Sequence, residues 1–156
     1  MWAIWVLIAG AALASFYALL PDAHLSGPPP DMPAALAGDM ATYRSQLENY
    51  VINNHTANGV VPQNVFVHSG NWNYTSLRWQ NYVNNGIVVV YPSTSVAPLP
   101  TGFLGAMLKQ ASYSVEAGAS QNGQIINPAN TSGNVSLPAG MPPLPDGTPV
   151  WIAQVF

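Results

Sequence analysis

An apolar run at the start of this chain limits what it can fold into more than any other feature. Residues 2–20 read WAIWVLIAGAALASFYALL and contain no charged side chain. As an α-helix the run would be about 28 Å long, close to the roughly 30 Å hydrocarbon core of a bilayer. Trp2, Trp5 and Tyr17 stand near its ends, where aromatic side chains favour the membrane interfaces. The run therefore predicts a transmembrane anchor over residues 1–20.

A cleaved signal peptide is the alternative explanation of this run. Signal peptides begin with cations, but no Lys or Arg precedes the run, which is also longer than a usual signal-peptide core. These features favour an uncleaved, single-pass anchor. Because almost nothing precedes the span, we expect the rest of the chain to lie outside the cytoplasm.

Small residues recur at four-residue spacing within the run, at Gly10, Ala14 and Ala18. Such spacing lets two membrane helices approach closely. Small residues are also simply common in membrane helices. Helix pairing into a homo-oligomer is therefore a hypothesis that the sequence leaves open.

A proline-rich stretch follows the anchor over residues 21–38. It reads PDAHLSGPPPDMPAALAG and holds five prolines. Such segments favour extended polyproline geometry at about 3.1 Å per residue. We expect a stiff linker that holds a folded domain, residues 39–156, away from the membrane.

Composition excludes several classes of function. Charged residues are 6% of the chain, and the only cations, Arg44, Arg78 and Lys109, are scattered along it. A nucleic-acid partner needs clustered Lys and Arg, so none is expected. The chain has no cysteine, which excludes disulfide frameworks, thiolate catalysis and zinc ribbons.

The domain is predicted to begin with a helix that Gly38-Asp39 caps and Asn58-Gly59 ends. Arg44 and Glu48 are four residues apart and are expected to pair on an exposed face. Five apolar residues recur at helical spacing and predict a core-facing stripe. They are Met40, Tyr43, Leu47, Tyr50 and Val51.

Short helices and turns are predicted in the middle of the chain. Residues 75–83 and 103–110 are predicted to be helical. The triplet Asn84-Asn85-Gly86 predicts a turn, and the β-branched residues 87–91 that follow predict a strand.

The last third of the chain is predicted to be mainly strand. Residues 113–117 and 124–127 predict two strands joined by a longer connection. Asp146-Gly147 predicts a turn before a closing strand over 148–156. Helices packed on a small antiparallel sheet give an α+β domain, for which a pilin-like shape stays open.

The closing strand is also a candidate partner-binding element. Its apolar residues Val150, Ile152 and Val155 would suit pairing with a partner strand if the strand lay at an edge of the sheet.

Catalytic and ligand-binding patterns are absent from the sequence. His24, His55 and His68 lack metal-ligand spacing, and neither a nucleophile elbow nor a phosphate-binding loop occurs. No catalytic, cofactor-binding or metal-binding residue is therefore predicted, and no cofactor.

An envelope glycan-binding module or hydrolase is an open alternative that uses the aromatic segment 72–79. A hydrolase would need a cleft that joins Glu116 or Asp146 with His55 or His68.

The layout of the whole chain resembles the small PilM family of bacterial type IVB (thin) pili, found in conjugative and related systems. The resemblance lies in an anchor at the start followed by MATYRSQLENYVINN, WQNYVNNGIVVVYP, SYSVEAGASQNGQIINP and LPDGTPVWIAQVF. The larger actin-like ATP-binding protein of the same name differs, since this chain is shorter and has no phosphate loop.

This resemblance implies an inner-membrane component of the pilus basal body that faces the periplasm and binds other pilus-assembly or envelope proteins. It implies no catalytic residues. A minor pilin is the rival within pilus biology. Pilins carry a charged leader and a Glu near the start of the mature helix, whereas the first Glu here is Glu48.

Overall fold

The computed structural model describes residues 32–66, 78–95 and 98–156. In these residues two α-helices pack with a six-stranded antiparallel sheet, which confirms the predicted α+β class. None of the described helices is long and apolar enough to cross a membrane. The predicted anchor, its pairing residues Gly10, Ala14 and Ala18, and most of the predicted linker lie outside the described residues.

The first helix, α1, spans Pro33–Asn53. Proline suits the first helical position because its fixed φ fits and its missing N–H would have had no helical partner. The predicted stripe is confirmed: Met40, Tyr43, Leu47 and Val51 are buried, and Tyr50 packs against the core.

The predicted start of α1 is wrong, and Asn58-Gly59 does not end the helix. The helix begins more than a turn before Asp39, because the buried Leu36 and Ala37 extend its core-facing stripe. Residues 33–38 therefore belong to the folded domain and not to the linker. The helix ends at Asn53, where the side-chain amides of Asn53 and Asn54 donate to carbonyls one turn back.

Six strands and a second helix complete the domain. The sheet order is β1-β2-β6-β3-β4-β5, with every neighbouring pair antiparallel. Helix α2 has the predicted bounds, Phe103–Gln110. The strands are β1 Trp79–Asn84, β2 Ile87–Pro92, β3 Ala117–Gln121, β4 Gln124–Ile126, β5 Val135–Ser136 and β6 Pro149–Gln154.

The prediction of a helix over residues 75–83 is wrong for its described part, which enters β1. Trp79, Asn81 and Val83 are buried at two-residue spacing, the period of a strand. The predicted turn is confirmed: Asn85 and Gly86 both have positive φ, 47° and 77°. Two such residues form the hairpin turn whose twist matches β1 and β2.

The second hairpin is tighter than predicted. Asn122 and Gly123, with φ of 50° and 75°, make a two-residue turn between β3 and β4. Strand β3 begins at Ala117 and not at Tyr113, since Ser112 and Tyr113 both have positive φ, which interrupts extended backbone.

The core lies on both faces of the sheet. The helix face is the side covered by α1 and α2, and the loop face is the side covered by residues 137–147. On the helix face the buried sheet residues include Trp79, Val83, Val88, Val90, Ala117 and Trp151. On the loop face they are Val89, Tyr91, Ile125, Val150 and Ile152.

Strand β6 is not an edge strand. It lies between β2 and β3, and Val150 and Ile152 are buried there. The prediction that these residues offer a free edge to a partner strand is therefore wrong.

Candidate protein-docking groove

Strand β6 continues after its neighbour β3 has ended. β2 pairs with β6 as far as Gln154, whereas β3 pairs only with Pro149, Val150 and Trp151. The Ile152 N–H still donates to the Glu116 carbonyl, 2.8 Å away. Backbone groups alternate sides along an antiparallel strand, so the N–H and C=O of Gln154 face the side that β3 has left. The sheet has an open notch there.

A groove runs beside this notch, between α1 and the end of β6. Arg44, Glu48 and Ile52 recur at four-residue spacing and form its helical wall. The opposite wall is Ala153, Gln154 and Val155, and Glu116 lies at its end; the volume is about 260 Å³. Val155 is the one residue of the predicted partner strand that lines the groove.

The guanidinium of Arg44 is fixed by three contacts. Its Nε lies 3.0 Å from Glu48 Oε1, and its Nη1 donates to the Ile152 carbonyl at 3.2 Å. Its Cζ lies 4.3 Å from the centroid of the Trp151 ring, a cation–π distance. Arg44 thus donates to the Ile152 carbonyl, which β3 would have bonded if it had continued along β6.

The predicted Arg44–Glu48 pair is confirmed, but its predicted exposure is wrong. The two side chains are only 22% and 24% exposed, because they lie against the end of the sheet. Burial raises the pKa of Glu48, Arg44 lowers it, and Glu116 raises it again. The charged lining residues are thus two carboxylates and one guanidinium.

Apolar side chains lie in and next to the groove. Ile52 is 48% exposed and Phe156 is 51% exposed. The Phe156 ring packs edge to face on His55 with centroids 4.9 Å apart, and it lies over Gly86, where a Cβ would approach the ring to 2.8 Å. A side chain at position 86 would therefore displace this ring.

The described candidates for the alternative hydrolase, Glu116, Asp146 and His55, have different neighbours. Glu116 lines the groove, and His55 packs on Phe156. Asp146 is in the predicted turn, where its Oδ1 accepts the Asn122 N–H at 3.0 Å. It lines a separate pocket with Leu104 and Ile126.

The sequence also raised the question of three histidines as metal ligands and of the aromatic segment 72–79 as a glycan-binding surface. His24, His68 and Trp72 lie outside them. Trp79, proposed for glycan binding, is buried and stacks on Phe103 at 5.6 Å. Within residues 32–66, 78–95 and 98–156, no cluster of three His, Cys, Asp or Glu side chains could hold a metal ion.

A family model named PilM matches residues 9–152 of the chain. The chain belongs to the PilM family. This is the small PilM of type IVB pili and not the actin-like protein, so the resemblance seen in the sequence is confirmed. The family gives the protein a pilus-related function.

One solved structure is similar to this PilM-family chain. It is the crystal structure of a protein described as PilM from Escherichia coli B7A, 18% identical in sequence, with a TM-score of 0.50. The match covers 78% of this chain and 90% of that one, and it supports a shared fold. No curated protein matches the chain.

Proposed function

We propose that this PilM-family protein is a non-enzymatic, single-pass component of the type IVB pilus assembly machinery in the bacterial inner membrane. Its domain lies in the periplasm and acts by binding other envelope proteins. Family membership supports the pilus assignment. The uncharged run over residues 2–20 supports the anchor.

The groove beside β6 is the observation that carries the binding role. It combines open backbone groups at Gln154 with a half-exposed apolar residue, Ile52. Open backbone groups at a strand edge are a feature that proteins use to bind extended segments of one another. Its central carboxylate, Glu48, is bound to Arg44, an arrangement that builds a fixed surface.

Complementation of a deletion in the native host tests this proposal. The deletion strain would receive the full chain, a chain with residues 1–20 replaced by an unrelated membrane span, or residues 32–156 exported by a cleavable signal. The third form begins at Met32, because Leu36 and Ala37 belong to the core. Surface pili and membrane fractionation would be measured together.

We expect the deletion to abolish surface pili and both anchored forms to restore them. Rescue by the exported, unanchored form would contradict the anchor. Normal piliation of the deletion strain would contradict the assignment to pilus assembly. Recovery of the protein in sheared, purified pili would identify it instead as a pilus subunit.

A further inference from the structure

We propose that the groove between α1 and the end of β6 binds an extended segment of another pilus-assembly protein, which adds as a short strand beside Gln154 and places a Lys or Arg side chain near Glu48 and Glu116. This inference rests on the proposed function and names its docking surface and the chemistry of its partner.

The backbone of β6 supplies the first argument. On the β3 side of the strand, Ile152 is already bonded through its N–H to Glu116 and through its C=O to Arg44. The next residue that faces this side is Gln154. An incoming strand that continues the line of β3 would find there one free donor and one free acceptor.

The helix beside this edge supplies the second argument. Extended peptides often add to a sheet edge, where backbone bonds give affinity and pockets for alternate side chains give specificity. Here Arg44, Glu48 and Ile52 form a wall along one side of the added strand. The stretch beyond the partners of β3 is residues 153–156, which comprises the end of β6 and the two residues after it. The bound segment would therefore be about four residues long at roughly 3.3 Å each.

Charge complementarity identifies the side chain of the partner. Arg44 is the cation among the lining residues, and its guanidinium already contacts Glu48, Trp151 and the Ile152 carbonyl. Glu116 lines the same groove, and none of the three contacts of the Arg44 guanidinium involves its carboxylate. A basic side chain would offset the remaining negative charge, and the exposed Ile52 favours an apolar neighbour in the partner segment.

Two substitutions in the full chain test the backbone and the charge separately. Gln154→Pro removes the N–H that faces the notch but leaves the bonds to β2, and Glu116→Lys reverses a charge in the groove. Their matched controls are Ser136→Pro, at an outward-facing N–H of the far edge strand β5, and Asp146→Lys, at an exposed turn.

We expect each groove variant to lower the number of surface pili by at least about tenfold. Each control should stay within about twofold of the unmodified chain. Thermal melting followed by circular dichroism verifies that each variant is folded. Folded Gln154→Pro and Glu116→Lys proteins with normal piliation would overturn the inference.

Photo-crosslinking tests the proposed docking site even if Gln154→Pro fails to fold. Benzoylphenylalanine would replace Ile52, in the groove, or Val60, which is 65% exposed elsewhere. In piliating cells we expect an adduct at position 52 that is absent at 60 and lost with Glu116→Lys. Mass spectrometry should map it to an extended segment of a pilus protein that carries Lys or Arg.

Three results of the crosslinking would overturn the inference. They are equal adducts at both positions, an adduct with a second copy of this chain, and an adduct on a segment without a basic residue. The proposed function fails by a different result, normal piliation of the deletion strain, so the two failures are distinguishable.

Discussion

The helix face and the loop face of the sheet differ in the kind of chain that covers them. On the helix face, α1 and α2 bury side chains at regular spacing, such as Met40, Tyr43, Leu47 and Val51. On the loop face, the cover is irregular, and its apolar residues Leu137, Met141 and Leu144 are only partly buried. The covering side chains of the loop face are thus more exposed than the buried stripe of α1.

Side-chain hydrogen bonds help to hold the irregular cover against the sheet. The Asn84 side chain donates to the Ala139 carbonyl at 2.7 Å, and the Ser120 hydroxyl donates to the Pro145 carbonyl at 2.6 Å. Proline is frequent in this segment, which helps because proline has no N–H that would need a partner against the sheet. The two faces should therefore respond differently to truncation.

The largest expected effect comes from truncating one leucine in the cover of the helix face and one in the cover of the loop face. We expect Leu47→Ala to lower the free energy of unfolding by about 3 kcal/mol, because a fully buried leucine leaves a cavity. Leu144→Ala should cost only about 1 kcal/mol, since this side chain is already partly exposed in the folded state. Urea denaturation measures both values. Equal losses would mean that the loop packs as tightly as the helices.

Gly118 tests how closely β3 and β4 approach each other. A Cβ at this position would collide with the carbonyl oxygen of Ile126 in β4. We expect Gly118→Ala to cost about 2–3 kcal/mol by forcing β3 and β4 apart. Gly105→Ala is the matched control, since no atom lies within 4 Å of its added Cβ. Similar denaturation midpoints for the two variants would contradict the close approach.

Asn81 tests the polar link at the outer edge of the helix face. Its amide accepts the Val61 N–H at 2.8 Å and donates to Tyr43 Oη at 2.7 Å and the Val61 carbonyl at 2.9 Å. Asn81→Ala leaves buried groups unpaired, so we expect a loss of about 1–2 kcal/mol. Hydrogen exchange should be faster at Val61. Unchanged exchange there would show that the link is dispensable.

The smallest expected effect is a pH dependence of stability that arises from two carboxyl groups of α1. Burial raises the pKa of Glu48 and of Asp39, although Arg44 and Arg78 respectively lower them. The folded state therefore holds these protons more tightly than the unfolded state, so the two groups favour folding as the pH falls through their raised pKa values.

Glu48→Gln should weaken this dependence and leave the share due to Asp39. Thermal midpoints measured between neutrality and the ordinary carboxyl pKa of 4.5 for Glu48 are the direct test. An unchanged pH slope in the variant would contradict the assignment to Glu48.

Local patterns predicted much of the fold correctly. The apolar stripe of α1, helix α2 and the turns at Asn85-Gly86 and Asp146-Gly147 follow from spacing and turn chemistry within a few residues. The errors fall where distant contacts decide. Residues 79–83 fit a helical pattern, but pairing with β2 fixes them as a strand.

The candidate site was predictable only in part. The four-residue spacing of Arg44 and Glu48 predicted their pair, and the apolar closing run predicted β6. Nothing local indicated that β6 would lie between β2 and β3. Its position comes from non-consecutive strand order, which depends on contacts between residues far apart in the chain.

The sequence by itself determined the α+β class, the helical stripe, the turns and the family, because periodicity, turn residues and overall layout are local or cumulative properties of the chain. The tertiary structure alone decided where β3 ends relative to β6. That difference leaves the Gln154 backbone open beside Arg44, Glu48 and Ile52. A strand edge is free or paired according to its neighbours in the sheet, and a linear pattern does not contain those neighbours.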